Sequence, residues 1–235
     1  MALIEVNHLS KQFQVHHLEK RIEVLDDVSF KVENNEFLGI LGRSGSGKST
    51  IIKCIYRTYL ASSGSILYRS QNLGEVDLVS LSEREVIALR QQELGYVSQF
   101  LSVMPRTSAF DLVSKSLMEC GVSRDQADEE TAKVLTTFRL PSNLWNSYPH
   151  SFSGGEKLRL NIAKAIVKRP RLLLLDEPTA SLDDDSKQIV REVIETLKTQ
   201  GTTMIGIFHD LKFIEGLCEQ VYRMEEKRVE PWYAH

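Results

Sequence analysis

The sequence predicts an α/β fold built on a parallel sheet, with a helical lobe set into it. Three observations carry that reading. A short apolar run at 37–41 feeds the glycine-rich stretch Gly42-Arg43-Ser44-Gly45-Ser46-Gly47-Lys48-Ser49-Thr50, which opens an apolar helix at 51–56. An unbroken run of leucines at 172–175 ends on Asp176 and Glu177, as expected of a central strand covered on both faces. Between Gln99 and Ser153 the pattern holds helices and loops and no convincing strand. With 235 residues, 42% of them hydrophobic, the chain suits one large α/β domain carrying a smaller lobe.

The elements follow in order. Residues 2–6 read as a strand, carried onward through 7–12 to Phe13. The polar segment 16–21 reads as a surface hairpin or loop. Its His16 and His17 read as solvated, because neighbours in a strand point to opposite faces. Residues 24–32 alternate as a strand, and 33–36 form a turn. After the glycine stretch and its helix, Gly64 starts a strand over 65–68, and Asn72-Leu73-Gly74 is turn chemistry. Ser82-Glu83-Arg84-Glu85 is a capping box, and its helix runs to about Gln92. A strand at 94–98 ends at Gln99. Thr107 or Ser108 caps a helix with Phe110, Val113, Leu117 and Met118 on one face. Ser123, with Gln126 three residues on, caps another with Ala127, Val134, Leu135 and Phe138 on one face. Phe152-Ser153-Gly154-Gly155-Glu156 opens a helix to Lys168, which Pro170 stops. Residues 183–200 form a helix with Gly201 as its C′ residue. A strand at 202–208 ends on His209. The tail from Glu225 is charged and weakly patterned.

Composition narrows the classes. A net charge of −3 gives no global basic field for nucleic acid. The three cysteines, Cys54, Cys120 and Cys218, fit neither a metal spacing nor a disulfide framework, which implies a reducing cytoplasm. No apolar run reaches bilayer-spanning length, and residues 1–11 lack a signal-peptide pattern. If the protein works at a membrane, another chain supplies the membrane part.

The chemistry centres on phosphate. The stretch 42–49 fits G-x-x-x-x-G-K-[ST] between a strand and a helix, the context that motif needs. Its glycines let backbone N–H groups curl inward around an anion, and the helix N-terminus adds partial positive charge. Lys48 would reach β- and γ-phosphates, and Ser49 would ligate Mg²⁺. Asp176 is the expected partner of Mg²⁺, directly or through water, and Glu177 the candidate to orient or deprotonate the attacking water. His209, also at a strand terminus, could hydrogen-bond a γ-phosphate, and Gln99 could position water or metal. Ser153-Gly154-Gly155 reads either as a second anion nest or as a plain serine N-cap with flexible glycines. One nucleotide does not need two nests from one subunit. A head-to-tail dimer, in which the Ser153 nest of one copy caps the phosphate on the other, resolves that.

The combination resembles the ATP-binding-cassette ATPases over nearly the whole chain. It implies Walker A at 42–49, a Q-loop at Gln99, the signature at 152–156, Walker B at 172–176, catalytic Glu177, D-loop Asp183 and switch His209. It also implies a P-loop NTPase fold: a RecA-like core with an antiparallel β subdomain (1–99 and 153–235) and an inserted helical subdomain (about 100–152), within a single domain 1–235. ATP and Mg²⁺ are the implied cofactors, and Phe13 looks like the aromatic that stacks on adenine. Phe152 and Glu156 depart from the usual L-S-G-G-Q signature, and a carboxylate beside a γ-phosphate could weaken binding. The stretch 95–106, Asn143-Leu144-Trp145, the F-S-G-G-E signature and Gly206-Ile207-Phe208-His209-Asp210 resemble the PhnL-type subunit of the phosphonate C–P lyase system. That implies a soluble lyase assembly converting ATP and an alkylphosphonate to a ribose 1-phosphonate 5-triphosphate. The rival reading is similar to the ATPases of lipoprotein-release and macrolide-export systems, which drive a separate membrane permease.

Overall fold

The computed structural model describes residues 1–15, 20–99, 101, 106–180 and 182–232. The expectations for His16, His17 and most of 100–105 fall outside them. The chain runs β1 (Ala2–Val15), β2 (Lys20–Glu33), β3 (Phe37–Gly42), α1 (Lys48–Ile55), β4 (Ser63–Ser70), β5 (Gly74–Asp77), α2 (Glu83–Gln92) and β6 (Leu94–Val97). It continues α3 (Ala109–Met118), α4 (Arg124–Thr137), α5 (Gly154–Ile166), β7 (Leu172–Asp176), α6 (Asp184–Thr199), β8 (Thr203–Phe208), α7 (Leu211–Ile214), β9 (Gln220–Glu225) and β10 (Arg228–Pro231).

Two sheets result. One has the order β2-β1-β4-β5 with antiparallel pairing throughout. The other has the order β10-β9-β3-β8-β7-β6, parallel except for the β10 edge. β7 and β8 are buried at every residue and β3 at all but its last. Alternation divides the leucine run between two cores. Leu172 and Leu174 join Leu38, Ile40, Ile51 and Ile205 beneath the antiparallel sheet. Leu173 and Leu175 join Phe37, Met204 and Phe208 on the opposite face, where the helices pack. The register sets Leu41 beside Phe208, and Ile207 beside Asp176, so β3, β8 and β7 end together. The loop of glycines, His209 and Glu177 therefore leave the sheet at one edge.

α3 and α4 supply buried Leu112, Val113, Leu117, Ala127 and Leu135, which with Phe138 just after α4 share a core with Leu158, Leu160 and Ile162 of α5. Ser108 caps α3 by accepting from the Asp111 amide. Met118, expected on the buried face, is exposed, and Leu112 takes its place. Ser123 is the N-cap residue of α4, but its hydroxyl donates to the Gln126 side chain and caps no backbone amide. The expected capping box at Ser82 and Glu85 is present. The strands β5, β9 and β10 add to the sequence reading, since the tail is a hairpin rather than an unpatterned end. β5 and β10 are four-residue edge strands with one central valine each, too short and polar for alternation to register, and Pro231 is tolerated only at such an edge.

Glu93 fastens the two sheets. It is buried, and its carboxylate accepts from Tyr68 Oη at 3.1 Å, Ser70 Oγ at 2.6 Å and the Gln71 amide at 3.2 Å. Arg171 Nη1 lies 3.6 Å away, and the Glu93 carbonyl accepts from the Arg171 and Leu172 amides at the start of β7. Removing this acceptor strands several donors at once. Glu93→Ala should lower unfolding free energy by about 3 kcal/mol, read from urea denaturation. An unchanged midpoint would show that the sheets do not depend on this contact.

Candidate nucleotide and metal site

The glycine loop leaves β3 at Gly42 and turns at the bond from the Ser46 amide to the Arg43 carbonyl, 3.2 Å. Gly47 holds φ 106, and a Cβ there would come within 2.8 Å of the Val24 carbonyl oxygen. A left-handed backbone against another strand explains that glycine. No side chain caps α1 and no acid sits in its first turn, so its N-terminal amides remain open to an anion. Ser46 Oγ is buried without a hydrogen-bond partner, a donor suited to a phosphate oxygen.

Lys48 is buried, and its Nζ donates to the carbonyls of Gly42 at 2.8 Å and Arg43 at 2.7 Å. Burial depresses its pKa, while the charges of Glu177 and Asp176 pull it partly back. Ser49 Oγ donates to Asp176 Oδ1 at 2.7 Å, across to the end of β7. Asp176 is buried, and its second oxygen accepts from Tyr96 Oη at 3.0 Å. A hydroxyl and a carboxylate at this separation suit Mg²⁺, which binds few protein oxygens and keeps waters and phosphate oxygens as its other ligands. Thr50 follows inside the first turn of α1, its amide bonded to the Gly47 carbonyl at 2.9 Å.

Glu177 comes next, at φ 52, a left-handed conformation that costs a non-glycine residue about 1–3 kcal/mol. Its Oε1 lies 2.7 Å from His209 Nε2. The acid and the histidine expected separately at two strand ends thus form one pair. A cavity of about 620 Å³ adjoins them, lined among others by Gly42, Arg43, Ser46, His209 and Arg223. Arg223 lies on β9, outside any motif, and no pattern in the sequence pointed to it.

No hydrogen bond among the described residues joins Ser153, Asp183 or Phe13 to the glycine loop. Gln99 is exposed just beyond β6. Asn161 of α5 holds the preceding Ser98 carbonyl at 2.8 Å, a tether between α5 and the loop after β6 that sequence reading missed. Ser153 and Gly154 are exposed at the start of α5. Gly155 is buried, and a Cβ on it would meet Ser186 Oγ at 2.6 Å, so this glycine lets α6 approach. Glu156 closes a capping box: its carboxylate accepts from the Ser153 amide at 2.8 Å, and its own amide donates to Ser153 Oγ at 3.3 Å. The carboxylate that seemed a liability for γ-phosphate thus has a partner on its own helix. Asp183 caps α6 by accepting from the Ser186 amide at 2.7 Å, and that bond lowers its pKa. Phe13 meets Tyr59 edge-on at 5.1 Å, with Lys11 Nζ 4.7 Å above its ring.

Residues 25–180 match the family model described as ABC transporter. The chain belongs to the ABC transporter family. It is 30% identical over 228 residues to the methionine import ATP-binding protein MetN of Haemophilus influenzae, covering 97% of this chain and 64% of that protein. The chain therefore spans under two thirds of the length of such methionine-import relatives. It is 34% identical over 237 residues to the lipoprotein-releasing system ATP-binding protein LolD of Bordetella pertussis, covering 97% of this chain and 100% of the relative. The dimeric ATP-binding cassette MJ0796 bound to ADP and phosphate superimposes with a TM-score of 0.87 at 23% identity, over 99% and 100% of the two chains, which establishes the fold. Both relatives are named as ATP-binding proteins.

Lys48→Ala should weaken ATP binding roughly ten- to hundredfold, the loss expected for charge-assisted hydrogen bonds of about 1.5–3 kcal/mol. A fluorescent-nucleotide titration measures this. Unchanged affinity would contradict the phosphate-cradle assignment.

Proposed function

We propose that the chain is the ATP-hydrolysing subunit of a two-cassette motor that drives a separate membrane permease. The observation that carries hydrolysis is the Glu177–His209 pair, 2.7 Å apart at the mouth of the glycine loop. In this reading Lys48, the α1 amides and Ser46 Oγ bind the phosphates, and Phe13 stacks on the adenine. Ser49, Asp176 and Gln99 hold Mg²⁺, which when bound neutralises charge on the β- and γ-phosphate oxygens. Glu177 takes the proton of the attacking water, and His209 orients that carboxylate and reaches the γ-phosphate. The Ser153-Gly154-Gly155 turn and Asp183 complete the site on the other copy, head to tail.

The permease part of the reading is supported by the relatives, named for methionine import and for lipoprotein release. No helix among the described residues is long and apolar enough to cross a membrane, and in this reading the spanning part belongs to a partner. A second reading rests on the stretches 95–106 and 143–145 and on the F-S-G-G-E signature, which resemble the PhnL-type subunit. It would place the same motor in the phosphonate C–P lyase assembly instead.

Two experiments test these statements. Glu177→Gln should retain ATP binding, lose hydrolysis by about a hundredfold or more and accumulate as a dimer in ATP, seen by light scattering on a sizing column. Wild-type turnover in that variant would remove Glu177 as the base. Affinity purification of the tagged chain from detergent-solubilised cells separates the two assemblies. An integral membrane protein in stoichiometric yield supports the permease reading, and soluble lyase subunits support the second.

A further inference from the structure

We infer that Tyr96 is a positioning residue for the metal site, holding Asp176 in the orientation in which its carboxylate meets Mg²⁺. The inference rests on the reading of Asp176 as the acid behind the cation. Asp176 has two carboxylate oxygens in a buried setting, and each has one side-chain donor. Oδ1 takes Ser49 Oγ at 2.7 Å, and Oδ2 takes Tyr96 Oη at 3.0 Å. The two donors differ in kind. A hydroxyl such as Ser49 has one hydrogen and two lone pairs, so it could offer a lone pair to a cation and still donate to Oδ1. The phenol takes no part in that contact, because its bond is to the other oxygen. With a donor on each oxygen the carboxylate plane is fixed, as outer-shell donors fix ligating groups elsewhere.

The surroundings of Tyr96 keep its hydroxyl in place. It lies on β6, paired with Leu174 on β7, two residues before Asp176. Its ring stacks on Tyr56 with centroids 4.9 Å apart and planes 25° apart. Tyr56 caps the C-terminus of α1, the helix whose first turn carries Ser49. The Arg90 guanidinium lies 4.6 Å from the Tyr56 ring centroid, and Arg90 Nε donates to the Tyr56 carbonyl at 2.9 Å. A chain of three side chains, Arg90 to Tyr56 to Tyr96, thus links the far end of α1 to the acid at its near end. A phenol is a hydrogen-bond donor at neutral pH, and its O–H points to Asp176 Oδ2. A donor suits this position because it favours the charged carboxylate, where a second acid would oppose it.

Tyr96→Phe removes the hydroxyl and keeps the stack. The probe is Mn²⁺, titrated by electron paramagnetic resonance in the presence of a non-hydrolysable ATP analogue. Nucleotide affinity is measured alongside in EDTA. Tyr96→Phe should weaken Mn²⁺ in the ternary complex by about tenfold or more and leave affinity in EDTA unchanged. Asp176→Asn is the control for the underlying reading. If Asp176→Asn binds Mn²⁺ as the wild type does, the metal-acid reading falls and the inference with it. If Asp176→Asn loses Mn²⁺ while Tyr96→Phe matches the wild type, the inference alone is overturned. Equal loss of nucleotide affinity in EDTA would also overturn it, since a general packing defect would then explain the effect.

Discussion

The hydrogen bond from Ser49 to Asp176 joins two strands that do not touch. β3 and β7 are separated by β8, and α1 spans that gap with its first turn. The bond therefore depends on all three strands ending in register, which in turn depends on their burial on both faces. With Ser49 and Asp176 fixed, the residues around them are constrained. Lys48 sits beneath the loop, and Glu177 follows the acid. His209, at the end of the intervening strand, reaches Glu177 from the middle of the three. The Glu177–His209 contact and the Ser49–Asp176 bond are two consequences of one strand order.

Without ligand the site satisfies much of its own polarity. Lys48 donates to its own loop, Ser49 to Asp176, and the Ser153 amide to Glu156. Asp183 is engaged with the Ser186 amide. A nucleotide would exchange these partners rather than fill empty ones, so net binding is a difference between comparable hydrogen bonds. Ser46 Oγ, buried and unpaired, is the exception, and it lies on the glycine loop. The Glu156 capping box gives the altered signature a physical meaning. In the proposed head-to-tail pair, closure onto a second copy's phosphate would compete with a carboxylate already seated on the Ser153 amide.

Much of this was legible in the sequence. The glycine loop between an apolar strand and a helix, the leucine run ending in two acids, and the capping box at Ser82 are local patterns with a local cause. The contact between Glu177 and His209 was not legible, because it depends on strand order. Tyr96, Asn161 and Glu93 were missed for the same reason: each acts through long-range hydrogen bonds and leaves no periodic trace. Met118 was placed inside by helical spacing, yet Leu112 fills that face, since apolar spacing alone does not choose between adjacent stripes. The edge strands β5 and β10 were hidden by polar composition. Glu156 was judged by its charge, whereas its position three residues beyond Ser153 is the pattern of a capping box and could have been read as one.

The most direct test of the shared edge is a crystal structure of the chain with Mg²⁺ and a non-hydrolysable ATP analogue. The account predicts Lys48 Nζ moved from the Gly42 and Arg43 carbonyls onto the phosphates. It also predicts Mg²⁺ between Ser49 Oγ, Asp176 and the phosphate oxygens, with Glu177 facing the γ-phosphate. Nucleotide bound elsewhere, or bound with Lys48 Nζ still on the Gly42 and Arg43 carbonyls, would contradict it.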